Sequence, residues 1–235
     1  SLTVRRERAD RLGEHEQARI AYGAGIRILG ELAADFPEEA EYPEKLARGC
    51  FDMSFALWES GQFEAAAEPS ARSTELYSAL ADRYPQVPHY RHEVYRSLAL
   101  CGLVARERRQ LPQARAFLEQ AIRLQEELAR SQPGEVQHRI ELARTWRNLA
   151  DVQLKLSLGD AAARSIERAL SMQRELVEAY PQDPAYAHEL SRTSRWWGEV
   201  LGLDGYAASI EPAVPAAETE AGYRVLPTSS AALAD

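Results

Sequence analysis

An all-α chain, wound as a right-handed solenoid of antiparallel helix hairpins, is predicted by three observations. The sequence repeats every 48 residues. Apolar residues within each repeat recur at three and four. No stretch alternates at two, as a half-buried strand would.

The period is carried without a gap by Pro37, Pro85, Pro133 and Pro181, by Leu32, Leu80, Leu128 and Leu176, and by Leu46, Val94, Leu142 and Leu190. Tyr42, Tyr90, His138 and Tyr186 share a slot, as do Arg48, Arg96, Arg144 and Arg192. Ser54, Gly102, Ala150 and Gly198 fill a slot that is always small, and Ala66, Ala114 and Ala162 fill another. A small residue on each of two facing helices lets their backbones approach closely. The stretch from Leu128 to Leu149, LARSQPGEVQHRIELARTWRNL, shows the motif in full: Leu-Ala, a proline, Leu-Ala-Arg, then a helix with a small residue.

Each unit reads as two helices. Ile122, Leu124 and Leu128 make one stripe, and Leu142, Trp146, Leu149 and Val152 another. The prolines stand between units, where a helix must stop. Gly13, Gly61 and Gly159 stand between the two helices of a unit and are expected to supply the left-handed turn there.

In order, residues 3–12 read as the remnant of a first helix and a long helix runs from about Glu14 to Asp35. Units follow at residues 37–84, 85–132 and 133–180. Their cores are Leu46, Cys50, Met53 and Leu57 with Phe63, Ala66 and Leu80; then Val94, Leu98 and Cys101 with Leu118, Ala121 and Leu128; then Leu142, Trp146 and Leu149 with Ile166, Ala169 and Leu176. A last helix, about Pro184 to Leu203, carries Leu190, Trp197 and Leu201 and has no partner helix after it, so it is expected to cap the array. The repeat domain thus covers 1–203, with a partial unit at 1–36 and the capping segment at 181–203. Residues 204–235 are Pro- and Ala-rich, with five acidic residues and one basic one, and read as a linker or disordered extension.

The net charge of −8 disfavours a general nucleic-acid binder. No apolar run approaches the roughly 20 residues of a membrane span, and no signal peptide is visible. Cys50 and Cys101 fall in helix-packing slots and read as buried thiols of a reducing, cytoplasmic compartment. The chain does not begin with Met, and Ser1 falls inside a helix, so a fragment of a larger protein is expected.

The small residue late in the first helix, the alanine of the second and the closing proline resemble the tetratricopeptide repeat. The spacings Trp146–Leu149–Ala150 and Ala162–Ile166–Ala169 are similar to its motif. That repeat is about 34 residues long. Here about 14 more are shared between two helices, or about two turns each, which keeps each apolar stripe on its face and predicts helices of about 22 residues and roughly 33 Å. The stretch Ala79–Arg91, ALADRYPQVPHYR, resembles the long tetratricopeptide arrays of planctomycete-type bacterial proteins, many of which follow a serine/threonine kinase domain. No glycine-rich loop, HRD or DFG is present, so any kinase activity would belong to a preceding segment.

The resemblance implies that the first helices of successive units line a concave groove that binds a peptide or partner protein. The slots facing it would be Arg48, Phe51, Asp52 and Phe55; Arg96, Ala99, Leu100 and Leu103; Arg144, Arg147, Asn148 and Asp151; and Arg192, Arg195, Trp196 and Glu199. The groove is then apolar in its N-terminal half and basic in its C-terminal half. Arg147, Asn148 and Arg195 together would suit a peptide carboxylate or acidic side chain, because guanidinium forks match that geometry. The arginines that recur in every unit have a simpler role available, pairing with Glu and Asp on neighbouring helices to fix the stacking.

The five histidines, His15, His89, His92, His138 and His188, form no metal pair on one helix face and read as structural or solvated. Val4–Arg8 and Arg106–Arg109 alternate in sign and read as solvated helix faces. No nucleophile–base pair, phosphate loop or carboxylate dyad has motif-like context. The expectation is a non-catalytic scaffold without cofactor or metal. The alternative is the regulatory segment of a bacterial kinase. Self-association through the unpaired last helix is a third reading.

Overall fold

The structure is a computed structural model and describes residues 23–202 apart from 133. The expected helical remnant at 3–12, the segment from Glu14 to Tyr22 and the tail at 204–235 lie outside the described residues.

Eight helices follow one another, and no strand occurs among the described residues. They are α1 (23–35), α2 (Glu41–Glu59), α3 (Phe63–Arg83), α4 (Pro88–Glu107), α5 (Leu111–Ser131), α6 (Val136–Lys155), α7 (Gly159–Ala179) and α8 (Pro184–Leu201). From α2 to α8 they span 18 to 21 residues, roughly 27–31 Å at the helical rise. That is slightly shorter than the expected 22, because the turns within and between units take up residues of the period. Helices α2–α3, α4–α5 and α6–α7 are the three hairpins. Each helix packs most heavily on its neighbours in sequence, giving an all-α solenoid.

The hairpin turn is built the same way three times. Gln62 N–H donates to Leu57 O at 2.8 Å and Gly61 N–H to Trp58 O at 3.0 Å. Gln110 and Arg109 repeat this onto Ala105 and Arg106, and Leu158 and Ser157 onto Gln153 and Leu154. This is the Schellman closure, which needs one left-handed residue. That residue is Gly61 (φ +78°), Arg109 (φ +60°) and Ser157 (φ +60°). The expectation for Gly159 is corrected: it opens α7. The left-handed slot keeps the period of 48, and only its first described occupant is a glycine.

The two small slots work as expected. Ala66, Ala114 and Ala162 are fully buried. Ser54 is also fully buried and donates to Ala66 O at 2.8 Å across the hairpin. A Cβ at Gly102 would lie 2.7 Å from Leu118 Cγ. Leu46, Val94, Leu142 and Leu190 are all buried, each stabilising its layer by about 1.5–3 kcal/mol. Cys50 and Cys101 are buried free thiols. Trp197 is buried in the last layer with Leu190 and Ile166.

Between units, an aromatic pair staples the turn. Phe36 and Tyr42, Tyr84 and Tyr90, and Tyr180 and Tyr186 have ring centroids 5.7, 6.0 and 5.6 Å apart. At the corresponding place in the third unit stand Gln132 and His138, joined instead by a hydrogen bond of 3.1 Å. Helix α8 is capped by Asp183, which accepts from Ala185 N–H at 3.0 Å, and ends on left-handed Gly202. With no helix packed beyond it among the described residues, it leaves Val200 and Leu201 exposed. No described helix is long and apolar enough to cross a membrane.

Candidate functional site

The first helices of the units face one another directly: α2 touches α4, and α4 touches α6. The second helices also meet, α5 and α7 through the Arg168–Glu126 pair at 3.9 Å. The face formed by α2, α4 and α6 carries most of the residues expected to line a groove.

The N-terminal part of that face is aromatic. The rings of Phe51 and Phe55 are stacked with centroids 6.5 Å apart, and Trp58 lies 5.9 Å from Phe55. All three are half-buried. The Arg96 guanidinium sits over the Phe51 ring at 4.8 Å and donates to both oxygens of Glu93 at 3.0 Å. Arg48 is exposed and lies 4.0 Å from Asp52 on its own helix. Burial, offset by Arg48, raises the Asp52 pKa. Leu103 is half-buried on this face, whereas Leu100 is buried and belongs to the core against Leu57 and Val104. The expectation that Leu100 faces the groove is thereby corrected.

Toward the C-terminal end lies a concavity of about 550 Å³. Arg147, Asn148, Asp151 and Lys155 of α6 form one wall, with Trp196 of α8, Arg106, Glu107 and the left-handed Arg109 around it. Its four cations outnumber its two carboxylates. Arg106 bridges units by donating to Asp151 at 3.2 Å, and Lys155 also pairs with Asp151. Arg106 is thus half-buried and structural, not one of a solvated run.

Arg147 differs from its neighbours. Among the described residues it makes no ion pair or hydrogen bond. Burial, together with the positive charges of Arg192, Arg144 and Arg106, lowers its pKa against the opposing charge of Glu189. Arg144 reaches across to Glu189 of α8 at 3.4 Å, and Arg192 shares that carboxylate at 2.8 Å. Among the described residues, Arg144 is the periodic arginine that pairs with the next unit; Arg48, Arg96 and Arg192 pair on their own helices. Arg195 is exposed and does not line the concavity.

No family model and no curated protein matches the chain. Among solved structures it is similar to a Podosopora anserina protein described as a kinesin light chain with nearly identical TPR-like repeats. The identity is 20%, the TM-score 0.41, and the match covers 86% of this chain and 95% of that one. A Q17M form of the same protein gives 19%, 0.43, 86% and 93%. BtubC (BKLC) from P. vanneervenii gives 15%, 0.41, 91% and 97%. With TM-scores below 0.5, the architecture rests on the helices described above and not on this likeness.

A second cluster, which the sequence reading treated as ordinary structural histidines, lies where α4 meets α6. His92 Nδ1 is 2.9 Å from Glu93 Oε1, and its Nε2 is 3.6 Å from Glu141 Oε2. Tyr95 donates its phenol proton to Glu141, and Gln137 donates to the other oxygen at 3.0 Å. Burial works against charge on His92, but the hydrogen bonds to Glu141 and Glu93 outweigh it and lift its pKa to about 9. His92, Tyr95 and Gln137 together hold Glu141 down at about 2 in spite of its burial. His138 is buried, and burial and the nearby His92 lower its pKa. His138 and Glu141 lie three residues apart on α6, and His89 and His92 three apart on α4, so the expectation of no histidine pair on one helix face is corrected; His92 joins the first pair from nearly one period away.

Proposed function

We propose that the chain is a non-catalytic scaffold that holds an extended segment of a partner protein along α2, α4 and α6. The partner's free carboxylate, at a C-terminus or on an acidic side chain, would sit in the concavity beside Arg147 and Asn148. Arg147 carries this reading. It is a half-buried cation crowded by three other arginines and, among the described residues, it has no carboxylate of its own. A bound carboxylate would supply the missing counter-charge through charge-assisted hydrogen bonds, worth about 1.5–3 kcal/mol. The strip of Phe51, Phe55 and Trp58 would take apolar side chains farther along the same segment, and Trp196 would report on the carboxylate end.

The test is a fluorescence titration with a peptide bearing acidic residues and a free C-terminus, beside its amidated, neutral counterpart. Arg147→Ala should weaken binding of the free acid about 10- to 100-fold and leave the weak binding of the amide unchanged. Equal affinity of both proteins for the free acid would remove the assignment.

A further inference from the structure

We propose that His92, His138 and Glu141 form a binding site for a divalent transition-metal ion of the zinc class, clamping α4 to α6. One potential ligand atom from each residue lies within 4.8 Å of the other two. A four-coordinate zinc ion with ligands at about 2.0–2.2 Å would hold them roughly 3.4 Å apart, so closure takes about an ångström of side-chain movement. Two imidazoles and one carboxylate suit zinc and its neighbours better than magnesium or calcium, which prefer oxygen sets.

The built character of the site lies in what surrounds those three side chains. His138 Nε2 is 3.1 Å from Gln132 Oε1. The amide oxygen accepts, so the ring proton is on Nε2 and the lone pair on Nδ1. That Nδ1 is buried and has no hydrogen-bond partner, an unusual state for a buried nitrogen. His92 has its Nδ1 against Glu93 and its Nε2 toward Glu141. Glu141 is held by Tyr95 and Gln137. Each candidate ligand therefore has its remaining polar atom fixed by a separate second partner, the arrangement that orients ligands around metals. The departure from the repeat is local as well. The aromatic pair of the other inter-unit turns is replaced by Gln132 and His138 at this turn and no other described one. In each of the other described turns a tyrosine fills the place that here holds the free imidazole nitrogen.

The full chain, stripped with chelator, is titrated with Zn²⁺ alone by calorimetry and by thermal unfolding. The expected result is one saturable site and a Tm rise of roughly 5 °C when Zn²⁺ exceeds Kd a hundredfold. The double variant Gln132→Tyr, His138→Tyr installs the aromatic pair of the other units, so it should fold with the same helical content and bind at least tenfold more weakly. His89→Ala, which removes an exposed neighbour able to form a rival cluster with His92 and Glu93, should bind as the parent does. The proposal is overturned by no saturable binding to the parent, by undiminished binding to the double variant, or by loss of binding on His89→Ala.

Discussion

Gly102 in α4 and Leu118 in α5 approach so closely that a methyl group on the first would lie 2.7 Å from Cγ of the second and 2.8 Å from one of its methyls. The small slot of the repeat is therefore a steric demand, set by the partner across the hairpin. Where the unit has Ala150 in that slot, the facing residue is Ile166, one period after Leu118. Gly102→Ala should cost about 1–3 kcal/mol in urea unfolding. Leu118→Ala, which removes both of those atoms, should cost less in the Gly102→Ala background than in the parent.

The left-handed turns give a prediction of opposite sign. Arg109 and Ser157 carry side chains at φ +60°, where Gly61 carries none. A non-glycine residue there costs about 1–2 kcal/mol. Arg109→Gly and Ser157→Gly should each raise stability by a fraction of that, and Gly61→Ala should lower it. Ser157→Gly is the cleaner measurement, because Arg109 also borders the concavity.

Cys50 gives a pH dependence. Burial, helped by Glu68, pushes its thiol up from about 9 to about 11. The folded state thus favours the neutral thiol more than the unfolded state does. The stability this supplies is complete below pH 9 and is lost as pH rises through 11. Burial raises the Cys101 thiol in the same direction. Chemical unfolding at pH 8, 9.5 and 10.5 should show a falling stability whose slope is reduced in Cys50→Ala, Cys101→Ala. Native protein at pH 8 should react with a thiol reagent only after unfolding.

Charge adds to the apolar links between units. Arg106 meets Asp151, and Arg144 meets Glu189, each 45 residues on. Both pairs are partly exposed, so each is worth at most about 1 kcal/mol. Arg144→Ala should lower Tm by a few degrees at low salt and by less at 1 M salt, where charges are screened within about 3 Å.

The period made most of the architecture legible. Its apolar slots became the core, its small slots the close helix contacts, and Pro37, Pro85 and Pro181 the inter-unit turns. Two things escaped. Gly159 drew attention as a glycine, although the left-handed slot, counted from Gly61, falls at 109 and 157. Several polar contacts between first helices or turns of successive units escaped because they join residues separated by one period less two or three. Glu44 with Tyr90 and Tyr95 with Glu141 are 46 apart, and Arg83 with Glu38 is 45 apart. Stacking sets that offset, and no single helix displays it. Read at this spacing, Glu141 would have pointed to α4, and the neighbouring His92 and His138 to each other. That Phe51 and Phe55 stand together on α2, and Arg147, Asn148 and Trp196 around one concavity, follows from their slots. The isolation of Arg147 does not, since it depends on which carboxylates its neighbours have taken.

Amide hydrogen exchange of the full chain, measured with and without the free-acid peptide, reads the proposed binding face of the first helices directly. Slowed exchange in α4 and α6 around Arg106 and Arg147, with α3, α5 and α7 unchanged, is the predicted result. Protection confined to the second helices, or none at a saturating peptide concentration, would contradict it.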